Sequence, residues 1–227
     1  MIAEIIAKNI EKLRIERGLT QEEAGEILGL SRATYNGVEN NKRPVTVDEL
    51  EKLADYYSVS VDSFFSRPRN VLKFEQMYLY ILQHFKNGIP KTKLAKLLYL
   101  ADFRNFYNEL EPMSGVSYIK RKYGPVADTF FETTDTLYDD GKINIIPEEF
   151  MLKIVPANVP AEYDLLSNRD KKYLDEICEL WKDKRTAEIV KFTHQQKPWM
   201  ACRDGEIIPY SLIIQEDPDN VYTPHNT

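Results

Sequence analysis

Residues 20 to 43 hold a spaced set of polar side chains suited to gripping a polyanion and touching base edges. Arg32 and Asn36 stand four apart, so one turn of a helix places them on the same face. Arginine and asparagine are side chains that pair with base edges in the major groove. Ala33 and Gly37 share that face and can offer only methyl or backbone contacts. Thr20 and Gln21 fall where a helix begins, and free amides there hold phosphate. Lys42 and Arg43 follow the same face and supply cations for phosphates on the other side. Ser31 and Asn40, at the two ends of the segment, complete the candidate set. The chemistry implied is duplex nucleic-acid recognition.

Such a set works only if short helices hold it. Ile2, Ile5, Ile6, Ile10 and Leu13 recur at helical spacing, and Gly18 follows as a helix end. Thr20 with Glu23 is a capping box that opens a helix through Leu28, closed by Gly29. Ser31 caps the next helix, Arg32 to about Asn40, and Pro44 cannot continue it. Tyr35 and Val38 should form its buried face, against Ala24 and Leu28. Thr46 with Glu49 is a second capping box for a helix carrying Leu50, Leu53 and Ala54. A last short turn carries Phe64 and Phe65. That predicts five helices in residues 1–66. This stretch has eight Lys and Arg against twelve Asp and Glu, so binding must rest on local placement of cations rather than on the field of the whole domain.

Residues 67–71 read as a linker and 72–215 as a second, mostly helical domain. Its helices should run near residues 71–85, from about Thr92 to Asn108, from Pro125 to Leu137, from Asn168 to about Asp183, and from a Thr186 cap to His194. Leu94, Leu97, Leu98 and Ala101 mark one face of the second of these. Met113 to Tyr123 reads as loop, Ile143–Ile146 with Met151–Val155 as a small β-hairpin, and residues 216–227 as a disordered tail.

Catalytic and metal chemistry find little footing. His84 and His194 are isolated, with no HxxE, HxH or HExxH spacing, and no GxGxxG or GxxxxGK occurs. Asp102 beside Arg104 reads as a solvated or paired helix face, and Tyr78, Tyr80, Tyr99, Phe103, Phe106 and Tyr107 as core or interface. No cofactor, metal or catalytic residue is assigned. Cys178 and Cys202 are far apart, which argues against a disulfide framework or zinc site and fits a cytoplasmic protein. A net charge of −6 argues against a protein that coats nucleic acid non-specifically. No secretory leader or membrane span is expected.

Two resemblances add to this reading. Residues Gly18 to Gly25 and Leu30 to Pro44, the latter spelling LSRATYNGVENNKRP, resemble the Xre/Cro family of phage and bacterial repressors. That implies a five-helix, lambda-repressor-like helix-turn-helix domain that dimerises on palindromic operator DNA. The phrase KLAKLLYLAD at Lys93–Asp102, Gly115, Tyr118, Tyr123-Gly124-Pro125-Val126, Pro198-Trp199, Gly205 and Ile208-Pro209 resemble the Panacea, or SocA-like, antitoxin domain. That implies a protein-binding role, with a cognate toxin as partner. The combined expectation is a mainly α protein, an operator-binding antitoxin of a type II toxin-antitoxin system, without enzymatic activity. The alternative is a transcriptional regulator that responds to a small ligand or peptide and has no toxin.

Overall fold

A computed structural model describes residues 2–65 and 69–222, in two compact units, Met1–Pro68 and Arg69–Thr227. The fold is mainly α. The first unit contains α1 (Ile2–Glu16), α2 (Gln21–Leu28), α3 (Arg32–Glu39) and α4 (Val47–Tyr57). A 3-10 turn, Val61–Phe64, stands where a fifth helix is expected from the sequence. Both capping boxes form: Thr20 and Thr46 accept from the amides of Glu23 and Glu49, whose carboxylates reach back. Ile6, Ile10, Ala24, Leu28, Tyr35, Val38, Leu50, Leu53, Tyr57 and Phe64 make one core. Gly25 allows α2 and α3 to close on each other. A Cβ there would lie 2.8 Å from the Leu30 carbonyl oxygen and 3.4 Å from the Tyr35 Cβ.

The second unit begins with α5 (Arg69–Gln83), so Arg69 to Val71 are helical rather than linker, while residues 67 and 68 lie outside the described residues. There follow β1 (Ile89–Pro90), α6 (Lys91–Glu109), β2 (Tyr118–Arg121), β3 (Gly124–Ala127), α7 (Phe130–Asp139), β4 (Ile143–Glu148), β5 (Met151–Pro156), α8 (Asn168–Trp181), α9 (Thr186–Gln195), α10 (Lys197–Met200), a 3-10 helix (Tyr210–Gln215) and α11 (Pro218–Tyr222). The hairpin expected at 143–155 is β4–β5, and β1 adds a third antiparallel strand in the order β1-β5-β4. Arg185 occupies the N-cap of α9, and Thr186 is its first helical residue.

Three expectations fail here. Met113–Tyr123 is not all loop, and Pro125 does not start a helix; β2 and β3 form an antiparallel pair, Tyr118 opposite Ala127, and α7 begins only at Phe130. β2 is also held on its other side, where the Ile208 amide donates to the Tyr118 carbonyl at 2.7 Å. That leaves Pro125 on an outer strand, where a missing amide costs no ladder bond. The tail is ordered through Tyr222: Val221 is buried, and Gln196 Nε2 donates to the Asn220 carbonyl at 2.7 Å. Residues 223–227 lie outside the described residues. The third failure is Asp102, which is fully buried rather than solvated.

Asp102 belongs to α6, a helix enclosed on every side from Lys93 to Phe103 rather than along one face. Its polar groups reach main chain elsewhere. Lys93 Nζ donates to the carbonyls of Lys182 (3.1 Å) and Lys184 (2.6 Å), beyond the end of α8. Lys96 Nζ donates to the Pro125 carbonyl at 2.7 Å. Asp102 accepts from the Ser114 amide (2.6 Å), Ser114 Oγ (2.5 Å) and Tyr118 OH (2.8 Å). Gly124 (φ +97°) is required for this approach, because a Cβ would lie 2.6 Å from Lys96 Cε. The aromatic residues around α6 pack on one another: the ring of Phe103 lies 4.2 Å from that of Tyr99 and 4.6 Å from that of Tyr210.

Burial pushes the Lys96 amine down from 10.5 to about 7. Between those values the unfolded chain holds a proton that the folded chain does not, so stability rises with pH across that window. The cost is fully present below pH 7 and is on the order of 5 kcal/mol. Lys96→Met is expected to raise the urea midpoint at about pH 6 by more than it does near pH 10. A gain independent of pH would show that the amine is not the cause.

Candidate nucleic-acid interface

Two eight-residue helices are too short to hold their own orientation, so the interface depends on what lies beneath it. Tyr35 and Val38 anchor α3 in the core. Arg32, Ala33 and Asn36 are exposed on its other side, and Gly37 is half-buried. Ser31 caps α3 by accepting from the Thr34 amide at 3.3 Å.

Glu39, which sequence reasoning missed, is the central tie. It is buried, and its carboxylate accepts from Arg14 Nε (2.6 Å), Arg14 Nη2 (3.1 Å) and Gln21 Nε2 (2.8 Å). Arg14 also donates to the Leu19 carbonyl at 2.8 Å. One carboxylate thereby joins α1, the α1–α2 turn, the start of α2 and the end of α3. Gln21 passes the constraint on, because its Oε1 accepts from Asn36 Nδ2 at 3.2 Å. Asn40 Nδ2 donates to the Asn36 carbonyl at 2.8 Å. The structure therefore brings Gln21, Asn36 and Asn40 together and locks their rotamers through neighbours. Glu39 gave no local signal, since its partners stand 25 and 18 residues away.

The remaining candidates divide. Arg32 and Lys42 are exposed, one at each end of α3. The backbone amides of Lys42 and Arg43 both donate to the Gly37 carbonyl, at 2.8 and 3.0 Å, which folds this cationic pair against the helix end. The Arg43 guanidinium is already engaged by Glu49, with bonds of 2.7 and 3.1 Å, and holds that carboxyl below its ordinary range. Thr20 is likewise engaged, since both its amide and its hydroxyl donate to the Glu23 carboxylate, at 2.7 and 2.8 Å. Of the expected phosphate contacts, Lys42 and the α2 start at Gln21 are the groups left open to a ligand.

Residues 10–64 match the helix-turn-helix family, and residues 94–200 match the family described as antitoxin SocA-like, Panacea domain. The chain is an Xre-type helix-turn-helix domain fused to a SocA-like Panacea domain. The helix-turn-helix domain is similar to control protein C.SmaI of Serratia marcescens, 38% identical over 66 residues, which are 29% of this chain and 79% of that protein. It is also similar to the HTH-type transcriptional regulator PuuR of Escherichia coli (strain K12) and of Shigella flexneri, 33% identical over 61 residues in each. Those matches cover 27% of this chain and 33% of PuuR, so the chain spans a third of that relative's length. No solved structure matches the chain significantly. Both matched families are DNA-binding-regulator and antitoxin types rather than enzymes. Among the described residues no helix is long and apolar enough to cross a membrane.

Breaking a buried ion pair by deleting one partner typically costs 3 to 5 kcal/mol, roughly, because the other charge is stranded. Glu39→Ala in the helix-turn-helix domain is therefore expected to cost about 3 kcal/mol in urea unfolding. Glu49→Ala, whose Arg43 partner is a third exposed, should cost about 1 kcal/mol. Equal costs would place the structural tie elsewhere.

Proposed function

We propose that this protein is the antitoxin of a type II toxin-antitoxin system. Its helix-turn-helix domain binds operator DNA and represses its own operon, and its Panacea domain neutralises a cognate toxin by direct binding. The observation that carries the reading is the joining of the two domains in one chain, with a structurally braced α3 face in the first. Autoregulation follows naturally, because a single chain then senses its partner and controls its own supply.

On DNA, Arg32 and the Gln21–Asn36 pair read base edges, with Ala33 and Gly37 letting the helix approach closely. Lys42 holds a phosphate. Arg43 serves mainly to fasten the α3–α4 turn to Glu49, and Thr20, Ser31 and Asn40 hold the two helices at their ends. With one strong reader per helix, a homodimer on a palindrome supplies the specificity that one copy lacks. The domain's acid excess favours the same arrangement, since the few exposed cations must act together.

Arg32→Ala is expected to weaken binding to the DNA upstream of the protein's own gene by about 1 to 3 kcal/mol, with little loss on unrelated duplex. Lys42→Ala should weaken both evenly and lower the salt slope by about 1. Mobility-shift titrations at several salt concentrations separate the two, and unchanged affinity in both variants would mean that α3 is not the reading helix. The antitoxin role is tested by expressing each neighbouring open reading frame with and without this protein. One frame should arrest growth alone and be rescued by co-expression; if none does, the antitoxin reading fails.

A further inference from the structure

A groove of about 580 Å³ opens on the second unit, between the start of α6, the β2–β3 turn, the start of α7 and the β4–β5 turn. We propose that it docks an acidic segment of a partner polypeptide that carries an aromatic or large aliphatic side chain. The natural partner would be the toxin, so on that point the proposal rests on the antitoxin reading.

Charge is the first argument. No carboxylate lines the groove: its ionisable side chains are Tyr123, the cations Lys91, Arg121 and Lys122, and the fully buried amine of Lys96, in a chain of net charge −6. Lys91 Nζ stands 5.0 Å from the Phe131 ring centre, and Lys122 Nζ 5.5 Å from that of Tyr123. Lys96 lies at the inner end, with the Pro125 carbonyl as its hydrogen-bond acceptor. At the groove surface it is the Lys91 and Lys122 ammonium groups, with three donors each, that offer an incoming carboxylate charge and hydrogen bonds.

Shape and apolarity are the second. Phe150 is 91% exposed, Tyr123 64% and Phe131 53%, and Met151 and Leu152 are exposed beside them. Clustered aromatics, methionine and arginine, here Phe131, Phe150, Tyr123, Met151 and Arg121, are the side chains enriched in protein-binding patches. Among the described residues β1 pairs with Ile154 and Lys153 of β5 and no strand pairs with Met151 and Leu152 on that side, which leaves an open edge for an extended segment. A nucleic-acid strand is the poorer fit. Glu132 follows Phe131, Glu148 and Glu149 precede Phe150, and Asp135 acts on Lys91, which leaves no continuous basic track for phosphates. A second copy docking groove to groove would set cation against cation.

The test is selection of phage-displayed random peptides on the full-length protein, with Lys91→Glu/Lys122→Glu and Phe150→Ser as counter-targets. Enriched peptides should carry Asp or Glu beside Phe, Trp or Leu, and bind either variant at least about tenfold more weakly. No enrichment, enrichment of peptides without carboxylates, or equal binding to the variants would overturn the proposal. So would stronger binding of a single-stranded oligonucleotide than of the selected peptides, or a change of oligomeric state in Phe150→Ser. Retained operator binding and an unchanged circular-dichroism melt show that the variants are folded. If a neighbouring toxin is rescued by the wild type and equally by Lys91→Glu/Lys122→Glu, the groove is not its site and the proposal falls. If the wild type rescues none, the antitoxin reading falls, while the peptide selection still decides what the groove binds.

Discussion

A helix enclosed on every side has no solvent to hydrate its polar side chains, and α6 carries Lys93, Lys96, Asp102 and Asn105 in that setting. Each must find a partner within the protein or lose a kcal/mol or more, roughly, for every unmet group. The partners come from separate segments: the carbonyls that follow α8, the Pro125 carbonyl in β3, Ser114 and Tyr118 around β2, and the Glu111 carbonyl after α6 itself. The arrangement of the second unit is therefore constrained from its centre outward. Asp102 takes three hydrogen bonds, yet desolvation outweighs them and raises its affinity for a proton. Lys96 reaches the inner end of the basic groove, so the group that orders the core also shapes the surface that a partner would meet.

The first unit solves the same problem at smaller scale. Glu39 is a buried acid whose charge is met by Arg14 and whose remaining oxygen capacity is met by Gln21. Because Gln21 in turn holds Asn36, a purely structural ion pair sets the posture of side chains on the exposed side of α3. A small domain with two capped, eight-residue helices can thus present a defined face despite an excess of acid.

Acidic proteins that bind polyanions or acidic partners must concentrate their cations. Here that happens twice, once at the ends of α3 and once in the α6 groove, each in a separate compact unit. The two places differ in what surrounds them. Around α3 the neighbours are small or polar, which suits close approach to a base-pair edge; around the groove they are large and apolar, which suits burial of a side chain.

What the sequence determined by itself is local. Capping boxes at Thr20 and Thr46, the α2–α3 turn at Gly29, the buried pair Tyr35 and Val38, and the 143–155 hairpin all depend on residues within a few positions of one another. Helix and hairpin rules act at those separations, so residue types suffice to read them. What the tertiary structure decided is which polar groups would be desolvated and by whom they would be met. Glu39 and Arg14 stand 25 positions apart, Lys96 and Pro125 stand 29 apart, and Lys93 reaches carbonyls 89 and 91 positions away. Asp102 looked like a surface acid and Pro125 like a helix start because nothing within a turn of either shows the enclosure that makes one a buried acceptor hub and the other a strand residue. Burial belongs to the whole chain, and the free energy of a charge depends on it more steeply than on the identity of its neighbours in sequence.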